Sequence, residues 1–112
     1  MIKVKNAPDT DHLKAWEYSD YNSWIKFWES KRSKCPLLDT KKNLYKCAKC
    51  GHLLTWSDFH GAHIQKPPFD SRPDDIALYI YPICSKCNEE RDETPFNIDE
   101  ALLVPMPEKK IK

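Results

Sequence analysis

Glycine is almost missing from this chain: two occur in 112 residues, against nine prolines. That balance argues for stiff loops and against flexible linkers. No apolar run approaches the roughly 20 residues that a membrane span requires, and the opening MIKVKNAPDTDH lacks the apolar stretch of a secretory leader. A cytoplasmic location with no membrane partner is therefore expected. Internal repeats and low-complexity tracts are absent as well. Neither sign of charge dominates, because 18 Lys and Arg face 17 Asp and Glu for a net +1, unlike a basic arm or an acidic tail. What is left is one globular domain spanning 1–112, with 40% hydrophobic and 31% charged residues. A chain of this size buries only about 65% of its unfolded surface, so a further source of stability is expected.

The charge is unevenly spread. Residues 1–46 carry a balance of +4 and residues 47–112 a balance of −3. The positive end concentrates in Lys31, Arg32, Lys34, Lys41 and Lys42, a density able to meet phosphates or an acidic protein surface. The same residues also suit a solvated helix end, where cations offset the helix macrodipole.

Residues 19–33, SDYNSWIKFWESKRS, read as an amphipathic helix capped by Ser19 or Asp20, with Trp24, Phe27, Trp28 and Tyr21 at helical spacing. The aromatic stripe is expected to close over a small β-rich centre, although aromatics can also stack on bases. A weaker helix covers His12–Glu17 with Leu13 and Trp16 inward, so that 10–34 forms a helical N-terminal part. Cys35-Pro36 ends it. Phe59–Gln65 and Ile76–Ile83 read as two strands of a hairpin. Their connection, Lys66–Asp75, holds three prolines and reads as an ordered protruding loop, with Phe69 and Arg72 as its candidate partner contacts. Ser85–Glu93 forms a short helix stopped at Thr94-Pro95. In the tail 97–112, apolar residues up to Val104 pack back, whereas Pro105-Met106-Pro107 and the lysines beyond are expected to fray.

The strongest signal lies in the cysteines. Four of the five form two pairs, Cys47-Ala-Lys-Cys50-Gly and Cys84-Ser-Lys-Cys87-Asn, with metal-ligand spacing. Gly51 supplies the positive φ that such a turn often needs. A four-sulfur set favours structural Zn²⁺; iron accepts the same ligands, and a reducing compartment disfavours disulfides. The four thiolates and one Zn²⁺ sum to −2, beside Lys46, Lys49 and Lys86. Zinc binding of this kind supplies about 10–16 kcal/mol, so the metal-free chain is expected not to fold. Cys35 is left as a partly buried free thiol.

The fold expected is α+β: a first knuckle, a hairpin and a second pair leading into a helix describe a treble-clef zinc finger over 45–96, packed against the aromatic helix. More narrowly, Cys47-x-x-Cys50-Gly, Gly61-Ala62-His63-Ile64 and Tyr81-Pro82-Ile83-Cys84-x-x-Cys87-Asn88 resemble the HNH endonucleases, the ββα-metal nucleases. They also resemble small bacterial and phage proteins with a Gly-Ala-His-Val/Ile strand. In the nucleases the histidine at the His63 position is a general base and a second metal, usually Mg²⁺, stabilises the phosphate and leaving oxygen. The resemblance departs at three positions: Ala62 stands where a ligand precedes the base, Asp92 replaces the final histidine, and Asp75–Tyr81 contains no asparagine.

His60 and His63, three residues apart on a strand, are expected on opposite faces. For His63 two readings stay open, a packed histidine hydrogen-bonded to the neighbouring strand and a catalytic base assisted by Asp92 or by Asp70, Asp74 or Asp75. Two functions follow. One is a non-catalytic module that binds a nucleic acid or nucleoprotein complex through Lys31, Arg32, Lys34, Phe69 and Arg72, of which a phage-borne anti-CRISPR inhibitor is an example by analogy. The other is an HNH-type nuclease using Mg²⁺. A purely structural subunit is a third.

Overall fold

The computed structural model describes residues 2–7, 13–31, 38–39, 44–67, 77–90 and 94–107. Its elements in chain order are β1 (Ile2–Asn6), α1 (Ala15–Tyr18), α2 (Trp24–Ser30), β2 (Leu38–Asp39), β3 (Leu44–Lys46), β4 (Leu53–Leu54), β5 (Phe59–Gln65), β6 (Tyr79–Cys84), α3 (Ser85–Glu90), β7 (Phe96–Ile98) and β8 (Val104–Pro105). Single 3₁₀ turns sit at Trp56–Asp58 and Glu100–Leu102. The chain is thus mixed α/β, mostly antiparallel sheet with few helices. Among the described residues no helix is long and apolar enough to cross a membrane.

A five-stranded sheet in the order β7-β1-β5-β6-β8 carries the molecule, and a smaller one in the order β2-β3-β4 stands beside it. The expected pairing of two long strands is present: β5 and β6 run antiparallel from Phe59 opposite Cys84 to Ile64 opposite Tyr79. The first strand begins and ends where the sequence places it. Sequence reasoning assigned no element to the N-terminus, yet β1 fills the gap between β5 and β7, with Lys5 opposite Gln65 and Val4 opposite Phe96.

Strand alternation divides the core in two. Val4, Ala62, Ile64, Tyr81, Ile83, Phe96 and Ile98 form one apolar cluster together with Cys47, Cys84 and Cys87. Ile80 and Val104 belong to a second, with Ala15, Trp24, Phe27 and Trp28. The aromatic helix does close over the sheet, through Trp24, Phe27 and Trp28, all buried. At Gly61 the helix backbone comes so near that a Cβ would lie 2.5 Å from the Trp24 carbonyl carbon. Only glycine permits that approach.

Four local expectations are corrected. The helix over 19–33 begins at Trp24, and its cap is Ser23, whose hydroxyl accepts from the Lys26 N–H at 3.3 Å. Ser19 is instead the C-cap of α1, its N–H and hydroxyl both donating to the Ala15 carbonyl, at 2.8 and 3.0 Å, while the hydroxyl accepts from the Tyr21 N–H at 3.2 Å. In the weaker helix, shortened to one turn, Ala15 takes the inward position and Trp16 is 58% exposed. The Pro105–Pro107 segment does not fray among its described residues: Pro105 pairs with Tyr79 and the Met106 N–H donates to the Leu78 carbonyl at 3.0 Å. An edge strand tolerates the missing proline N–H.

Candidate metal centre

The first cysteine pair sits in a tight knuckle between β3 and β4. Cys47 follows β3 directly, its N–H donates to the His52 carbonyl at 3.0 Å, and its own carbonyl accepts from the Gly51 N–H at 2.8 Å. That closure needs a left-handed residue, and Gly51 has φ 78°. The second pair comes from the junction of β6 and α3: Cys84 ends the strand and Cys87 lies in the first turn of the helix. Pairing of Phe59 with Cys84 holds the junction in place.

An aromatic bracket brings the two pairs together. The Tyr45 ring on β3 lies 4.6 Å from Trp56 and 6.1 Å from Phe59, while Trp56 stacks on Phe59 at 5.2 Å. The Trp56 indole N–H donates to the Glu29 carboxylate, tying the bracket to α2. The strand before the first knuckle is thereby pinned to the strand opposite the second.

The four sulfurs converge. All lie within 4.8 Å of one another, with Cys47 Sγ 3.9 Å from Cys87 Sγ and Cys50 Sγ 3.7 Å from Cys84 Sγ. A tetrahedral ion with metal–sulfur bonds of about 2.3 Å has sulfur–sulfur edges of about 3.8 Å, whereas a disulfide needs about 2.05 Å. The spacing therefore suits a metal-binding set of four free cysteines, and a chemistry consistent with zinc. Backbone amides point at the sulfurs as well: the Cys84 N–H donates to Cys47 Sγ at 3.4 Å and the Cys87 N–H to Cys84 Sγ at 3.5 Å.

Those contacts divide the thiols electrostatically. Burial opposes ionisation of Cys47, but the amides of Cys84, Cys50 and Lys49 outweigh it and hold the thiol below its ordinary range. Burial pushes the Cys84 thiol up, against the amide and thiol of Cys87. It pushes Cys87 up further, with the neighbouring thiols adding to the effect. A metal entering this site must displace protons from the latter two. Lys46 and Lys86 are exposed near the knuckles, and Lys49 extends over the Phe96 ring at 5.9 Å.

The remaining predicted residues fall elsewhere. His63 is half-buried, its ring edge-on to Trp24 at 5.1 Å and 81°. Its neighbour Ala62 is buried in the cluster on the other side of the sheet. His60 is exposed, with its Nδ1 3.5 Å from the Asn88 amide on α3. The two histidines diverge, as their three-residue spacing implies. Lys31 caps the C-terminus of α2, and its ammonium lies 5.6 Å from the Phe27 ring of the same helix. Arg32, Lys34, Cys35, Lys41, Lys42, Phe69, Asp70, Arg72, Asp74, Asp75 and Asp92 lie outside the described residues. Sequence reasoning missed Trp56 and the His60–Asn88 approach. A tryptophan three residues before a strand that opens on phenylalanine was the available signal for the first; the second needs the register of β5 against α3. No family model, curated protein or solved structure matches the chain.

Proposed function

We propose that residues 45–96 form a treble-clef finger around a structural Zn²⁺, and that the chain is a non-catalytic, HNH-like module that binds a nucleic acid or a nucleoprotein complex. The order of knuckle, paired strands and helix, with one cysteine pair in the knuckle and one at the helix start, supports the treble clef. Bound zinc would supply four metal–sulfur bonds that cross-link β3 and β4 to β6 and α3. Cys47, Cys50, Cys84 and Cys87 would hold it.

One observation carries the non-catalytic reading: His63 lies against Trp24 of α2, while α3 meets the other side of β5 through His60. A hydrolytic base must reach a water beside the scissile phosphorus, and a second metal needs ligands converging near it. Ala62, which precedes His63, offers no ligand atom. Among the described residues that constellation is not assembled, and a scaffold of this shape is suited to recognition, of which inhibition of an RNA-guided effector is one form.

The test is fluorescence anisotropy with duplex DNA, single-stranded DNA and RNA across a salt series, alongside incubation with Mg²⁺ or Mn²⁺. Binding without strand cleavage is expected, with affinity that falls steeply with salt if phosphates are contacted. Charge reversal at Lys31 and Arg32 should weaken nucleic-acid binding, and Phe69→Ala with Arg72→Ala should weaken binding to a protein partner. Turnover that disappears in His63→Ala would replace this reading with the nuclease.

A further inference from the structure

We propose that Cys50 is the reactive site of the sulfur cage toward hydroperoxides, and that its oxidation opens the cage through a disulfide to Cys84. The inference rests on the reading of the four cysteines as zinc ligands and concerns their unequal access to solvent. Cys47, Cys84 and Cys87 are 0%, 3% and 5% exposed. Cys50 alone of the four is exposed.

The opening continues along the backbone. A Cβ placed on Gly51, the next residue, would meet no atom within 4 Å. The outer lip of the first knuckle is therefore open to solvent at Cys50 and beside it. Metal-bound cysteines are thiolates and keep nucleophilic character, so access decides which of the four reacts first. Chemistry selects the oxidant class, since a thiolate attacks peroxide oxygen directly.

A resolving thiol stands ready. Cys84 Sγ lies 3.7 Å from Cys50 Sγ, within a set whose sulfurs all lie within 4.8 Å of one another, and Cys47 and Cys87, 3.9 Å apart, are both buried. The Cys50 thiolate forms an S–O bond as the O–O bond of the hydroperoxide breaks, and the departing alkoxide takes a proton to leave as alcohol. Cys84 thiolate then forms the S–S bond as the new S–O bond breaks, and the departing hydroxide takes a proton to leave as water. Two thiolates, one hydroperoxide and two protons give one disulfide, one alcohol and one water, or two waters when the oxidant is hydrogen peroxide; the sulfurs lose two electrons and the peroxide gains them. Two of four donors are then gone, and the cage releases its ion. The new bond still joins the knuckle to the end of β6, so reduction by a small thiol restores the ligand set.

The experiment treats the zinc-loaded chain with one equivalent of hydrogen peroxide, follows release with a chromophoric zinc indicator, and quenches aliquots with N-ethylmaleimide for peptide mapping. Cys35 is scored separately. Among the four cage thiols, Cys50 should lose label first, a Cys50–Cys84 linked peptide should appear, and zinc should be released in step with it. Cys50→His keeps a fourth donor and should slow release by about tenfold or more. First modification at Cys47, Cys84 or Cys87, a different disulfide partner, or unchanged release in Cys50→His would overturn the proposal while leaving the zinc reading intact. Metal analysis of untreated protein separates the two, because sub-stoichiometric zinc overturns the cage reading and this inference with it. Mapping of the unaltered chain needs no variant to fold.

Discussion

The two apolar clusters of the molecule are held together by different physics. One contains the sulfur set, where four candidate ligand atoms from two distant segments lie within 4.8 Å of one another. The other is built around α2, where Trp24, Phe27 and Trp28 fill space against Ile80 and Val104. Ligand bonds are directional and all-or-none, whereas packing degrades by degrees as contacts are lost. A small chain with little core to spare therefore places its specificity in one cluster and its bulk in the other.

Removing the metal should break the comparison most completely. Chelation is expected to unfold the whole chain and not the knuckles alone, because Cys84 is both a candidate ligand and the end of β6; loss of far-UV circular dichroism in step with metal loss is the measurement. The same site fixes a sign for pH. Burial raises the thiols of Cys84 and Cys87 in the metal-free state, so they bind protons that the ion must displace. Metal affinity should thus rise with pH, read by chelator competition between mildly acidic and mildly alkaline buffer.

On the packing side, Trp28→Ala is expected to destabilise by about 3–5 kcal/mol, since the indole is 1% exposed and its N–H donates to the Leu102 carbonyl at 2.9 Å. Urea melts of the metal-loaded protein measure it, and retained metal stoichiometry in this variant would show that the two clusters fail separately. Gly61→Ala tests their junction. The added methyl would meet Trp24 backbone at 2.5 Å, and a loss of about 1–3 kcal/mol from the forced displacement of α2 is expected in the same melts.

The smallest effect lies outside both clusters. Lys66 Nζ sits 2.8 Å from Glu100 Oε2, and the ammonium also lies 4.4 Å from the Tyr79 ring. The hydrogen bond to Glu100 raises the lysine above its ordinary value. A raised folded-state value means the contribution is full below the ordinary lysine range and is lost as pH climbs through the folded value. Glu100→Gln should therefore cost about 0.2–1 kcal/mol at neutral pH, as exposed pairs do, with the deficit closing in alkali when melts of the two proteins are compared.

Much of the site was legible because its chemistry is local. Two Cys-x-x-Cys pairs announce themselves at any distance, and the strand over Phe59–Gln65 showed in side-chain composition. The N-terminal strand was also readable in Ile2-Lys3-Val4-Lys5, where apolar and charged residues alternate, but five residues without a turn signal carry little weight alone. The cap of α2 was misplaced because Ser19, Asp20 and Ser23 are all competent caps, and which is used depends on where α1 ends.

By itself the sequence determined which atoms are available to a metal, which segments prefer to extend, and which helix face is aromatic. Those properties reside in side-chain chemistry and short-range periodicity. Tertiary structure decided that β1 lies between β5 and β7, that His63 meets Trp24 while His60 meets Asn88, and that Cys50 is the exposed member of its set. Each depends on strand order, register or burial, which are set by contacts between residues far apart in the chain and leave no mark on their neighbours in sequence.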